Sequence, residues 1–79
     1  MKNNIDEELV QVGERLRTLR KHRKLTQIDL EVMTGITNAD ISRIENGQKN
    51  VELATLIKLC TSLKAELFDL FNYNGELPH

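Results

Sequence analysis

Cysteine and long apolar segments are scarce in this sequence. Cys60 is the one cysteine among 79 residues, so an intramolecular disulfide is excluded and a reducing compartment is favoured. No apolar run approaches the roughly 18 residues of a membrane-spanning helix. The opening segment MKNNIDEELV has no apolar core of the kind that signal peptides need. We therefore expect a cytoplasmic protein that does not associate with membranes.

Enzymatic signatures are missing as well. The sequence has no Gly-rich phosphate loop and no plausible catalytic triad. His22, His79 and Cys60 do not form a pair with metal-ligand spacing, and Cys60 falls on an apolar helical face. We expect no enzymatic activity, no catalytic residues, no metal and no cofactor.

Charge is unevenly distributed along a chain whose net charge is −1. Residues 15–24 contain six basic residues and no acidic one: Arg15, Arg17, Arg20, Lys21, Arg23 and Lys24. Such a segment presents either a phosphate-facing surface or an ordinary solvated helix face. The charge pattern alone favours the second interpretation.

Apolar residues recur three and four positions apart, which is the period of amphipathic helices. The pattern predicts helices at about 6–23, 27–34, 38–45, 52–63 and 66–72, with a tail at 73–79. Thr26 and Thr37 are suitable N-caps, and Asp29 could complete a short capping box. Gly35 and the pair Asn46-Gly47 are suitable helix ends. No segment alternates with period two, so we predict a compact all-α domain of five helices spanning residues 1–79.

The predicted inward faces share this spacing. They consist of Leu9, Val12, Leu16 and Leu19; Leu30 and Met33; Ile41 and Ile44; Leu53, Leu56, Ile57, Cys60 and Leu63; and Leu67, Leu70 and Phe71.

Residues 26–47, TQIDLEVMTGITNADISRIENG, predict two short helices joined by a turn of about three residues. This is the pattern of a helix-turn-helix. It leaves the first turns of the third helix exposed, with short polar side chains that can approach base edges in the major groove.

The segment resembles the helix-turn-helix of Xre-type regulators, which include the lambdoid phage repressors and Cro proteins. The likeness covers about residues 9–72. It is carried by Thr26-Gln27, Leu30, Gly35-Ile36-Thr37, Ile41-Ser42-Arg43-Ile44 and Glu45-Asn46-Gly47, and outside the motif by Leu16, Leu19, Arg20, Thr55-Leu56, Lys58-Leu59, Leu63 and residues 67–71. The resemblance implies a lambda-repressor-like fold and a transcriptional regulator, for example a repressor, that binds a double-stranded DNA operator.

Side-chain chemistry and the resemblance together select the expected contacts. Asn38 can pair with adenine, Arg43 with guanine, and Ala39 can touch a thymine methyl group. The resemblance implies that Gln27 holds a backbone phosphate or reaches a base at the edge of the site, and that the loop after the third helix contacts phosphates. It also implies a structural ion pair between Arg20 and Glu45, with Arg20 also within reach of a phosphate. The expected DNA-binding residues are Gln27, Thr37, Asn38, Ala39, Asp40, Ser42, Arg43, Lys49 and Asn50.

Two acidic residues set this copy of the motif apart. Glu31 stands where the family usually has a small residue, and we expect it to swing outward or to pair with a cation. Asp40 accepts from a cytosine amine, orients Arg43, or is turned away from the groove.

The C-terminus has a surplus of apolar side chains, namely Leu67, Phe68, Phe71 and Tyr73. These side chains either close the core of the monomer or form a homodimer interface, and we favour the interface. A two-fold dimer would place its recognition helices about one DNA turn, roughly 34 Å, apart. Two alternatives stay open: an antitoxin that also binds a toxin protein, and a protein-interaction module that has lost DNA binding.

Overall fold

The computed structural model describes residues 4–79, and in that part of the chain all regular structure is helical. The five helices are α1 (Ile5–His22), α2 (Gln27–Thr34), α3 (Asn38–Glu45), α4 (Leu53–Ser62) and α5 (Leu67–Phe71). The all-α class is confirmed. α2 and α3 have the expected bounds; α1 lies one residue earlier than expected, and α4 and α5 are one residue shorter at each end. Residues 1–3 of the segment considered as a signal peptide lie outside the described residues.

Local capping explains where the helices of the motif begin and end. The Thr26 hydroxyl accepts from the backbone N–H of Asp29, whose carboxylate accepts from the Thr26 N–H, so the expected capping box is present. The Thr37 hydroxyl accepts from the backbone N–H of Asp40 and so caps α3, without a reciprocal bond. α2 ends at Gly35, whose φ of 79° lies in the left-handed region that glycine adopts without steric cost.

The core lies where the five helices meet. Eight side chains of the core are almost completely buried: Leu16, Leu19, Leu30, Ile41, Ile44, Leu59, Leu63 and Leu70. Ile36 packs against this core from the turn between α2 and α3. The two helices of the motif are therefore held together by apolar contacts, as their spacing predicts.

Several side chains predicted to face the core are instead at the surface. Met33 is 51% exposed, and on α4 Leu53 and Ile57 are 58% and 45% exposed. α4 buries Leu56, Leu59, Cys60 and Leu63, and this stripe already fills the space against its neighbours. Leu53 and Ile57, one helical turn apart, lie beside the stripe and remain in solvent. Phe71 is likewise 47% exposed, because α5 inserts Leu70 instead.

Gly13 allows α1 to pass close to the end of α3. A Cβ atom at Gly13 would collide with the carbonyl oxygen of Ile44 and lie 2.6 Å from that of Glu45. Both obstacles are backbone atoms, so they cannot rotate away. Glycine at this position therefore fixes how near α3 lies to the first helix.

The C-terminal segment 72–79 packs along α1. Arg15, only 4% exposed, donates to the carbonyl oxygens of Asp69, Gly75 and Glu76 at 2.7, 3.2 and 3.1 Å. The Tyr73 hydroxyl donates to Glu8 at 2.8 Å. Leu77 packs against the core. The expected tail is thus a strap anchored by a buried arginine.

Candidate nucleic-acid interface

α3 presents two different faces. Ile41, Ile44 and Glu45 are buried against the rest of the domain, whereas Ala39 and Arg43 are exposed on the opposite side. Thr37, at the start of the helix, is exposed, and Ser42 is half-buried beside Arg43. Four of the expected contact residues therefore lie on or at the edge of one accessible face.

Asn38, the first residue of α3, is held by Glu31 of α2. One carboxylate oxygen of Glu31 accepts from the Asn38 backbone N–H at 2.6 Å and from its side-chain amide at 2.7 Å. These two hydrogen bonds, the backbone bond first, lower the pKa of Glu31. The side-chain amide of Asn38 keeps one N–H and its carbonyl oxygen for a base edge.

The expectation for Glu31 was wrong. Glu31 neither swings outward nor pairs with a cation, because the N-terminus of α3 supplies backbone N–H groups that have no partner within the helix. A carboxylate is also favoured there by the positive end of the helix dipole. Glu31 thereby joins α2 to α3 by hydrogen bonds.

Asp40 lies between Arg43 and Lys49, the two cations of residues 37–50, which we call the recognition segment. Its Oδ1 is 3.0 Å from Nη1 of Arg43, and its Oδ2 is 3.3 Å from Nζ of Lys49. The loop residue Lys49 is thus tied back to α3, while Asn50 beside it is exposed. Of the three possibilities raised for Asp40, the geometry fits an orienting contact with Arg43.

Glu45 anchors α3 on the side opposite its exposed face. Arg20 donates to it through Nε at 2.7 Å and Nη2 at 3.0 Å, and Arg17 donates at 3.3 Å. Gln27 adds a hydrogen bond from its amide at 3.1 Å. Burial, the largest single influence, raises the pKa of Glu45, but the donors from Arg20, Gln27 and Arg17 together outweigh it and leave the pKa below its ordinary value.

This anchoring changes the roles expected for two residues. Arg20 is only 9% exposed and its guanidinium also donates to the Leu25 carbonyl, so a phosphate contact by Arg20 would have to compete with these partners. Gln27 is half-buried at the start of α2, with its amide turned toward Glu45. A phosphate contact by Gln27 would have to compete with that hydrogen bond.

The basic segment 15–24 does not form a continuous phosphate-facing surface. Arg15 and Arg23 donate to backbone carbonyls, those of Leu63 and Lys64 in the case of Arg23, and Arg17 and Arg20 contact Glu45. These guanidinium groups donate to acceptors within the chain, because each has enough N–H groups for several acceptors at once. Lys21 and Lys24 are exposed.

The other reactive groups occupy structural positions. Cys60 is 3% exposed, and burial, reinforced by Asp69 and Glu66, raises its pKa to about 11. The expected interface residues Leu67 and Tyr73 pack partly against the core, whereas Phe68 is 73% exposed. Within residues 4–79, no helix is long and apolar enough to cross a membrane.

Comparison with known proteins identifies the family. A helix-turn-helix family model matches residues 16–70, which include both helices of the motif, the end of α1, all of α4 and most of α5. The chain belongs to the helix-turn-helix family of Xre and lambda-repressor-like regulators. This is a family of DNA-binding transcriptional regulators and not of enzymes.

Individual relatives agree with this family. The HTH-type transcriptional repressor RghR of Bacillus subtilis is 51% identical over 53 residues, covering 66% of this chain and 39% of RghR. The HTH-type transcriptional regulator y4dJ of Sinorhizobium fredii is 30% identical over 67 residues, covering 85% of this chain and 87% of y4dJ. The chain spans less than half the length of RghR and of a second Bacillus subtilis relative, RghRB.

Among solved structures, the restriction-modification controller protein C.AhdI from Aeromonas hydrophila superposes with a TM-score of 0.79 at 38% identity, covering 82% of this chain and 98% of C.AhdI. A helix-turn-helix transcriptional regulator from Vibrio cholerae superposes with a TM-score of 0.83 at 28% identity, covering 90% of this chain and 40% of the regulator.

Two features of the helix-turn-helix were missed by sequence reasoning. The hydrogen bonds from Asn38 to Glu31 connect residues seven positions apart across the turn, and the only signal for them was an acid at a position that is usually small. Asn46 accepts from Arg17 at 2.7 Å, for which the sequence offered no signal. Both contacts restrain the ends of α3.

Proposed function

We propose that this chain is a sequence-specific DNA-binding transcriptional regulator that acts as a homodimer, with α3 in the major groove of its operator. The observation that carries the proposal is the exposed face of α3, where Ala39 and Arg43 are exposed and Asn38 is half-buried, on a helix whose other side is fixed to the core. An α-helix fits the major groove, and these side chains match the groups displayed by base pairs.

Rigid support of α3 favours this function. Gly13 brings α1 against the carbonyl ends of the helix, and Arg20 and Gln27 hold Glu45 from two other elements. Recognition groups held in place before binding lose less conformational entropy when they meet DNA. The helix is therefore suited to presenting a constant pattern of donors.

Phosphate contacts are assigned to the surface around α3. Lys49 and Asn50 follow the helix, and Thr37 and Ser42 flank its exposed face. Contacts of this kind position a protein on DNA without reading sequence. They supply the salt-dependent part of the affinity.

The proposed dimer interface centres on Phe68 and Phe71 of α5, which are exposed and one helical turn apart. Ile57 of α4 is also exposed and lines one cavity with Leu67, the first residue of α5. Leu67 and Tyr73 contribute less than their composition suggested, since both are partly covered within the chain.

Selection of bound duplexes from a random pool tests DNA binding directly. We expect enrichment of a near-palindromic site with half-sites about one helical turn, roughly 10 base pairs, apart. Arg43→Ala is expected to lower affinity for the selected duplex about tenfold and to relax one position of the site. Lys49→Ala should weaken binding to all sequences similarly and reduce the salt slope by about one.

Lys58→Ala is the matched control, because it removes one exposed positive charge from α4 rather than from the recognition segment. Equal losses for Arg43→Ala and Lys58→Ala, with no position of the site relaxed, would contradict the assignment of Arg43 to a base.

A protein partner is the second candidate function, as for an antitoxin or an interaction module. It is favoured by α2, where Val32 is 81% exposed and Ile28 is 55% exposed. If no duplex is enriched above background at low salt, this second candidate replaces the first.

A further inference from the structure

A single carboxylate contacts every cation that the recognition segment offers. Residues 37–50 contain two basic residues, Arg43 and Lys49. Asp40 uses Oδ1 for Arg43, at 3.0 Å, and Oδ2 for Lys49, at 3.3 Å. The net charge of this triad, which we call the Asp40 triad, is +1 rather than the +2 of its two cations.

The Asp40 triad lies at the surface. The side chains of Asp40, Arg43 and Lys49 are 32%, 60% and 41% exposed. Exposed ion pairs of this kind add little to folding stability. The start of α3 is also capped independently by Thr37. Asp40 lies in the first turn of α3, where the helix dipole favours an acid by a small amount at the surface. Stability therefore gives only a modest reason for placing an acid on a surface that is to approach phosphates.

We propose that Asp40 is a specificity-determining residue, which holds Arg43 toward a base edge and weakens the attraction of Arg43 and Lys49 to phosphates. The inference rests on the proposed DNA-binding function and names a residue that sets its selectivity. Attraction between cations and phosphates is independent of sequence. An acid beside the cations weakens that attraction on every duplex.

Recognition of guanine is compatible with the same contact. The Asp40 carboxylate engages Nη1 of Arg43, and a guanidinium has five N–H donors in a fixed planar arrangement. Enough donors remain for the two acceptors of a guanine. Asp40 thus reduces the freedom of Arg43 without occupying the donors that read the base.

The test compares Asp40→Asn with the unaltered chain on two duplexes: the one selected from the random pool and a scrambled duplex of the same length and composition. Dissociation constants are measured over a KCl series. For the variant we expect affinity for the scrambled duplex to rise about fivefold at low salt and the salt slope to steepen by about one. Affinity for the selected duplex should rise less, so the ratio between the two duplexes falls.

Two controls separate this effect from a change in overall charge. Glu14→Gln removes one exposed carboxylate from α1, beside Tyr73 and Asn74 and outside the recognition segment. In a chain carrying Arg43→Ala and Lys49→Ala, Asp40→Asn should no longer steepen the salt slope on the scrambled duplex, because no cation is left for it to release toward phosphates. Thermal unfolding of each variant verifies that it is folded.

The possible results are distinguishable. If Asp40→Asn strengthens binding to the scrambled duplex no more than Glu14→Gln does, the inference is overturned. It is also overturned if the variant loses only the selected duplex, since Asp40 would then read a base directly. If the unaltered chain enriches no duplex, the proposed function itself fails, and the inference fails with it.

Discussion

At the scale of single residues, Gly13 determines how closely α1 approaches the end of α3. Alanine normally favours a helix over glycine by about 1 kcal/mol, but the added Cβ would meet the carbonyl oxygens of Ile44 and Glu45. We expect Gly13→Ala to lower the free energy of unfolding by about 2 kcal/mol, because overpacking against rigid atoms outweighs the propensity. Urea denaturation measures the difference.

Gly35→Ala is the matched control for that substitution. Its added Cβ meets no atom within 4 Å, so the cost comes from the φ of 79° alone. That strain is worth about 1 kcal/mol. If Gly13→Ala proves as stable as the unaltered chain, α1 and α3 are farther apart than described.

The pKa of Glu45 makes the stability of the fold depend on pH. This pKa is held below the ordinary value in the folded chain, since hydrogen bonds from Arg20, Gln27 and Arg17 outweigh the effect of burial. Stabilisation of this sign is fully present above the unfolded pKa, about 4.3, and is lost as the pH falls through the folded pKa. We expect the urea midpoint to fall on acidification below about pH 4.5.

Comparison with Glu45→Gln isolates this contribution from those of Asp29 and Glu31, whose pKa values are also lowered by hydrogen bonds. The variant should be less stable at neutral pH by about 3 kcal/mol, because Arg20 loses its buried partner. Its midpoint should vary less with pH. Parallel pH profiles for the two chains would show that Glu45 is not the titrating group.

At the scale of elements, the C-terminal strap depends on one residue of α1. Arg15 satisfies three carbonyl oxygens from Asp69 and the strap. We expect Arg15→Met to lower the free energy of unfolding by about 2 kcal/mol, since hydrogen bonds to a charged group are lost. Limited proteolysis should then cut the strap sooner.

Lys21→Met controls for the loss of charge and for the new apolar side chain, because Lys21 lies on the same helix and is exposed. If both variants are equally stable and equally resistant to proteolysis, Arg15 does not hold the strap in place.

The helices were largely predictable because their signals are local. Thr26 and Asp29 are three residues apart, and Gly35 ends α2 through its own backbone. The contact between Arg20 and Glu45 was implied by the resemblance and is present, but the partners of Arg15 and Arg23 were not predictable. Arg15 reaches acceptors 54 to 61 residues away along the chain, and no periodicity reports such contacts. Two arginines of the basic segment, Arg15 and Arg20, are therefore buried, although composition alone allowed a phosphate-facing surface.

In the candidate site, too, local features were predictable and contacts between elements were not. The exposed face of α3 follows from helical spacing around Ile41 and Ile44, and Arg43 lies on it as the pattern indicates. The contacts that orient those groups arise across elements. Glu31 of α2 reaches Asn38, and Lys49 of the following loop reaches Asp40; both depend on how the turn and the loop fold back.

At the scale of the whole molecule, two exposed apolar surfaces compete as the dimer interface, and the proposed dimer uses the one on α5. Phe68 on α5 is 73% exposed and Val32 on α2 is 81% exposed, so glutamate at either position should leave the folded chain intact. We expect Phe68→Glu to yield a monomer in sedimentation velocity and to weaken operator binding by tenfold or more, since one recognition helix reads only half of a two-fold site. Val32→Glu should retain both properties. Dissociation by Val32→Glu instead would move the interface to α2, and a two-fold pair built there would require a different half-site spacing in the selected duplexes.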